Sequence, residues 1–111
     1  MNYILEYFNP KLQTQIEKWP TSILASFVRI SVQMQLSGPH LGLPYTKPLG
    51  QGLFEVRAKG LEGIGRVFFC CLKGQRVIFL HGFIKKTQNT PLKEIRIARK
   101  RMQEAHDEKN S

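Results

Sequence analysis

The stretch LFEVRA (53–58), KGLEGIG (59–65), RVFFCCL (66–72), KGQ (73–75) and RVIFLHGF (76–83) decides the fold. Three runs rich in Val, Ile, Phe and Leu are separated by glycine-bearing connections, the pattern of strands joined by turns. Connections this short force antiparallel pairing, because a parallel return needs a crossover of a dozen residues or more. The third run is apolar nearly throughout, so it is expected to be central and buried on both faces.

On the N-terminal side, residues 37–52 carry Gly38, Gly42, Gly50 and Gly52 with Pro39, Pro44 and Pro48. Leu41, Leu43, Tyr45 and Leu49 are interspersed, so this is expected to be an ordered, anchored loop. Before it, Ile23, Leu24, Phe27, Ile30 and Met34 recur at helical spacing, between Pro20 and the Gly38-Pro39 stop. Asn9-Pro10 caps and opens a shorter helix to about Lys18. Trp19-Pro20 breaks it, leaving two helices in a hairpin. Tyr3 to Phe8 reads as a short strand. On the C-terminal side, Lys85 to Thr90 is a polar loop. Thr90-Pro91 starts a last helix with Glu94 in its first turn, where the helix dipole favours an anion. Leu92, Ile95, Ala98, Met102 and Ala105 form its expected buried stripe; the tail from Asp107 is expected to fray. The order β-α-α-β-β-β-α predicts one α+β domain over 1–111: a helical hairpin and a C-terminal helix packed on a curved antiparallel sheet.

Composition narrows the partners. Of 111 residues, 41% are hydrophobic and 23% charged, a globular balance. Seventeen Lys and Arg against eight Asp and Glu give +9 and a pI near 10.0, which points to a polyanion. Residues 1–56 carry a net +1, with Lys11, Lys18, Arg29 and Lys47 against Glu6, Glu17 and Glu55; residues 57–111 carry +8. The polyanion-facing surface is therefore expected in the C-terminal half. No apolar run reaches the length of a spanning helix, and MNYILEYFNPK lacks the order of a signal peptide. The two cysteines, Cys70 and Cys71, are adjacent and unsuited to a disulfide framework. These features fit a cytoplasmic protein without a membrane partner.

His40, His81 and His106 lack metal-ligand spacing, and no metal or cofactor is expected. Gly63-Ile64-Gly65 reads as turn chemistry rather than a phosphate loop. The chemistry-bearing constellation is basic. Arg57 ends the first strand, Arg66 opens the second, His81 lies near the end of the third, and Lys85-Lys86 follows. Neighbouring strand ends would bring these to one concave patch suited to phosphate, since Arg forks onto phosphate oxygens and Lys adds point charge. Lys59 extends the basic set. Lys93, Arg96 and Lys100 share one face of the last helix. Arg57 has a plainer reading as a surface partner of Glu55 or Glu62, and His81 as a hydrogen-bonded core residue.

The residues PLGQGLFEVR (48–57), GRVFF (65–69), VIFLHGFIKKTQNTP (77–91) and EIRIARKRM (94–102) resemble the Gp49/HigB branch of the RelE-type toxins of bacterial toxin–antitoxin systems. The resemblance implies a RelE-like fold and an mRNA-cleaving endoribonuclease acting on translating ribosomes. It also implies restraint by a HigA-like helix-turn-helix antitoxin. The tyrosine near the C-terminus that the best-known ribosome-dependent members use has no counterpart, since no Tyr follows Met102.

RNA carries its own nucleophile, the 2′-hydroxyl, so cleavage needs a group to orient it, a base, a stabiliser of the phosphate charge and an acid. The expected assignment puts Arg66 on the phosphate, with Arg57 as a second clamp and Lys85 and Lys86 on the backbone. One of these lysines, crowded by like charge, is a base candidate. His81, of a residue type that titrates near neutrality, is an acid/base candidate. Phe83 or Phe69 would stack on a base, and Lys59, Lys93, Arg96 and Lys100 would add RNA contacts. Two rival readings are a ParE-like inhibitor of DNA gyrase and a passive RNA-binding module.

Overall fold

Glycine sets the ends of the central hairpin. The computed structural model describes residues 2–85 and 91–110, with side chains to 108. Strands β3 (Leu53–Gly60) and β4 (Gly63–Leu72) meet at a two-residue connection, with Gly60 opposite Gly63 and Gly63 at φ 145°. Both strands run further into the hairpin than glycine-rich composition suggested. A second turn, with Gly74 at φ 83° and Gln75 at φ 59°, leads into β5 (Arg76–Lys85). Lys85 thus ends a strand rather than starting a loop.

Two further strands complete the sheet: β1 (Ile4–Tyr7) and β2 (Thr46–Gly50), in the order β1-β5-β4-β3-β2. As its apolar run suggested, β5 is an interior strand, flanked by β1 and β4 and buried on both faces over residues 77–80; β4 is the middle strand of the five, and its residues 65–70 are all buried. The sheet is mixed, because β1 runs parallel to β5, with Ile4 opposite Arg76. The Arg76 guanidinium clips this edge by donating to both Glu6 oxygens, at 2.6 and 2.9 Å. The strand β2 falls in the expected loop. It is an edge strand, which is where Pro48 can sit without costing a ladder bond.

The helices are α1 (Pro10–Glu17), α2 (Thr21–Ser37) and α3 (Leu92–Asn110). Asn9 caps α1: its Oδ1 accepts the Leu12 N–H at 2.8 Å. One sheet face is closed by α1 and α2, where Leu12, Ile16, Ile23, Phe27 and Met34 pack on Val56, Val67, Phe69 and Phe79. This approach is close. A Cβ on Gly65 would lie 2.6 Å from the Trp19 ring and 2.7 Å from Ile23. Gly65 is therefore a packing residue inside β4, not the turn residue expected.

The other face is covered by α3, which lays Ala98 and Ala105 on Leu53, Phe68, Cys70, Ile78 and Leu80. Arg101 fastens it by donating to the Leu80 carbonyl at 2.8 Å, with its guanidinium over the Phe8 ring. Arg99 donates to the carbonyls of Leu49 and Gly50. Leu92, expected in the buried stripe, is 67% exposed, and the helix continues past Asp107 to Asn110 instead of fraying there. Among the described residues, no helix is long and apolar enough to cross a membrane.

Candidate active site

Strand alternation and register put polar groups in ordered rows on the α3 side of the sheet. Leu53, Glu55, Arg57 and Lys59 share one face of β3, opposite to Phe54, Val56 and Ala58. Across the hairpin, Arg57 is opposite Arg66, and Arg66 is opposite Phe83. The next row toward the hairpin turn is Lys59, Ile64 and Lys85; the next row inward is Glu55, Phe68 and His81. A β-bulge makes the inner row. Phe69 pairs with Phe79 while Phe68 pairs with His81, leaving Leu80 as the extra residue. Strict alternation through Leu80 would turn His81 toward α1; the bulge keeps it on the α3 side.

The sequence-predicted site residues Arg57, Lys59, Arg66, His81, Phe83 and Lys85 thus share one face of three adjacent strands. They come from strand interiors as well as ends. Lys93, Arg96 and Lys100 are exposed on α3. Lys86, together with the rest of 86–90, lies outside the described residues. Phe69 is fully buried in the α1/α2 core and is not available to stack on a base.

The arginines are not equivalent. Arg66 is 2% exposed, and its Nη1 donates to Glu55 Oε1 at 3.2 Å; Glu55 itself is 1% exposed. Arg57 is 20% exposed, with its Nε 3.8 Å from the same oxygen. One buried carboxylate therefore organises two guanidiniums in neighbouring strands. Removing one member of such a buried pair typically costs ~3–5 kcal/mol, because the other charge is left without its partner. Arg66→Ala is accordingly not the fold-neutral substitution that a surface arginine would allow.

His81 is drawn into a second pair. Its Nε2 lies 2.9 Å from Glu94 Oε1 in the first turn of α3, and both side chains are largely buried. The imidazole stacks near Phe68 and Phe83, with ring centroids at 6.4 and 6.2 Å. A carboxylate on one ring nitrogen fixes the imidazole's orientation.

Glu55 and Glu94 are the partners of the candidate site residues that the sequence reading does not pick out. From sequence, Glu55 reads as a surface partner of Arg57. Its alternation with Phe54 and Val56 was the available signal, since it puts Glu55 on the face of Arg57. Glu94 was read as a helix-dipole residue, and nothing local ties it to His81.

The cysteines stand apart from this chemistry. Burial, aided by the neighbouring Cys71, pushes the Cys70 thiol up to about 11, and burial raises Cys71 as well. Neither is poised as a thiolate nucleophile. Among the described residues, no three His, Cys, Asp or Glu side chains cluster so as to hold a metal ion.

The arrangement can hold a phosphate against the Arg57 guanidinium and the Lys85 ammonium, with the buried Arg66 charge behind them and an oriented imidazole one row away, roughly 7 Å along the strand. Comparison with known proteins agrees at the level of fold. The E. coli toxin RelE, solved free as a double arginine-to-alanine mutant, superposes with a TM-score of 0.65. It shares 12% identity, over 91% of this chain and 98% of its own. A chain of the archaeal RelE–RelB complex from Pyrococcus horikoshii OT3 gives a TM-score of 0.57 at 14% identity, over 80% of this chain and 100% of its own. No curated protein sequence matches. The family model described as phage-derived protein Gp49-like matches residues 14–103, which is most of the chain. With a RelE-like α+β fold and a family match of that extent, the chain belongs to the Gp49-like family of phage-derived proteins.

Proposed function

We propose that this protein is the toxin of a toxin–antitoxin pair and an endoribonuclease that cleaves mRNA on the ribosome. The observation that carries the reading is the row Arg57–Arg66–Phe83, flanked by Lys85 on one side and by the His81–Glu94 pair on the other. Two guanidiniums side by side suit a phosphodiester that gains charge as the 2′-oxygen attacks. Exposure divides their roles. Arg57 and Lys85 contact the phosphate, and Arg66, held from below by Glu55, adds positive charge behind them. His81, oriented by Glu94, moves a proton at the 2′-oxygen or at the leaving 5′-oxygen. Phe83, partly exposed in the same row, offers a face to an unstacked base. The cleavage yields a 2′,3′-cyclic phosphate and a free 5′-hydroxyl, and it consumes no water in that step. The RelE–RelB complex among the structural neighbours supports an antitoxin partner for this chain too; a HigA-like helix-turn-helix protein is the form we propose.

Primer extension on cellular mRNA, minutes after induction, tests the reading. Wild type should create new 5′ ends within translated frames, and Arg57→Ala should not, with the variant shown folded by circular dichroism. Growth arrest without new ends would reject cleavage and favour a gyrase-directed toxin instead.

A further inference from the structure

A groove leaves the candidate active site around the edge of the sheet. The β2–β3 ladder stops at Thr46–Val56, so the edge of β3 beyond Val56 is left open to the segment before β2. There the Arg57 N–H donates to the Tyr45 carbonyl at 2.8 Å. The loop behind Tyr45 is tightly tied. Tyr45 N–H and Thr46 N–H both donate to the Gly42 carbonyl, and Gly42 N–H donates to the buried Thr46 Oγ1 at 2.8 Å. This bonding, together with Leu41 packed on the α1/α2 core and Leu49 on the α3-side core, orders the loop. Tyr45, expected as an anchor, is instead 50% exposed, and Leu43 is exposed as well. A rigid backbone therefore presents a phenol ring to solvent.

The groove along this edge has a volume of about 430 Å³. Arg57, Lys59 and Ile64 line one side, and Ser26 and Arg29 of α2, with Tyr45, line the other. It falls in the size range of small-ligand clefts. No acidic side chain lines it among the described residues, and Arg29, Lys59 and the Tyr45 hydroxyl have no polar partner among them. Arg29 is the one charged residue of α2, a helix from the half of the chain that is otherwise nearly neutral. Cations on both walls with an exposed aromatic on one of them form the elements of a single-strand binding track, in which charge follows the backbone and a ring stacks on a base.

We infer that this groove is a second RNA subsite, in which Tyr45 stacks on a base flanking the scissile phosphate while Arg29 and Lys59 hold the backbone leading to it. The inference rests on the RNA-cleaving reading and extends it to substrate length. An RNA confined to the arginine site gains nothing from the groove, whereas one that continues past Arg57 does.

The test uses 2′-O-methyl oligoribonucleotides, which lack the attacking hydroxyl, in anisotropy titrations with the whole chain. A short oligonucleotide spans the arginine site alone; a longer one extends beyond it on both sides. Tyr45→Ala should weaken the longer one roughly 5- to 150-fold, the range of a lost base–aromatic stack, with no change for the short one. Tyr45→Phe should keep wild-type affinity. Arg29→Gln should lower the salt slope for the longer RNA by about 1. Equal losses for both lengths, or none for the longer, would overturn the subsite. If Arg57→Ala still weakened both, the cleavage reading would stand without it. No binding of either RNA by wild type would overturn both readings. If Tyr45→Ala spared RNA affinity but weakened capture of an acidic peptide, the groove would belong to a protein partner and the subsite would fall.

Discussion

The two faces of the sheet are built from the same five strands yet solve different problems. On the α1/α2 face every layer is apolar, and glycine is used to bring helix and strand together: Gly65 lies under Trp19 and Ile23. On the α3 face the apolar layer covers only the rows near Leu53, Cys70 and Ile78; the rows from Glu55 to Lys85 carry charge. The first face supplies stability and the second carries the candidate chemistry. A charged row on one face is tolerable because the apolar layers of both faces hold the same strands on either side of it.

That contrast can be broken in three ways. The largest effect belongs to Arg66→Ala, which should lower stability by ~3–5 kcal/mol by removing one member of the buried Arg66–Glu55 ion pair. Urea denaturation measures it. The double variant Glu55→Leu with Arg66→Met should recover much of that loss while cleavage stays absent. A double variant no more stable than Arg66→Ala would mean that the pair is not the cause. Next comes Arg57→Ala, where the faces separate most cleanly. Its longer, partly buried contact with Glu55, at 3.8 Å, should contribute less to stability than the Arg66 pair at 3.2 Å, whereas cleavage should fall on the order of 10²–10³-fold, the usual cost of losing a transition-state donor. Equal wild-type rates in the folded variant would remove Arg57 from the site. The smallest effect is Gly65→Ala, expected to cost ~1–3 kcal/mol through overpacking against Trp19. Its cleavage rate per folded molecule should match wild type, and a rate loss without a stability loss would show that the two faces are coupled.

Much of this was legible beforehand, for local reasons. The three long strands announce themselves through their apolar runs and glycine turns, and α1 through its Asn9-Pro10 start. The convergence of Arg57 and Arg66 follows from a hairpin that places them on adjacent strands. What escaped prediction depends on distant partners. The strand β1 pairs with β5 across most of the chain, and no local pattern specifies that choice. The strand β2 carries Pro48 and Gly50, residues that argue against a strand unless its edge position is known. The bulge at Leu80 changes the side on which His81 emerges, and a one-residue slip of that kind has no signature in an apolar run. Tyr45 looked like an anchor because aromatic residues usually are. The hydrogen bonds around Gly42 and Thr46, with Leu41 and Leu49 packed on the cores, explain how the loop stays ordered while its ring faces out.

The parallel pairing of β1 with β5 also bears on how the protein is made. Ile4 emerges from the ribosome long before Arg76, its partner in the sheet. At roughly 5–20 residues per second, the nascent chain waits on the order of several seconds before the edge can close. Through that interval the apolar sides of α1 and α2 have no sheet to cover, and the charged rows have not yet been assembled. Long-range closure of this kind also slows folding itself. A chain with this topology is inert, and sticky, for most of its own synthesis. A binding partner able to shield those helices would meet it first as an unfinished molecule, before there is any assembled site to restrain.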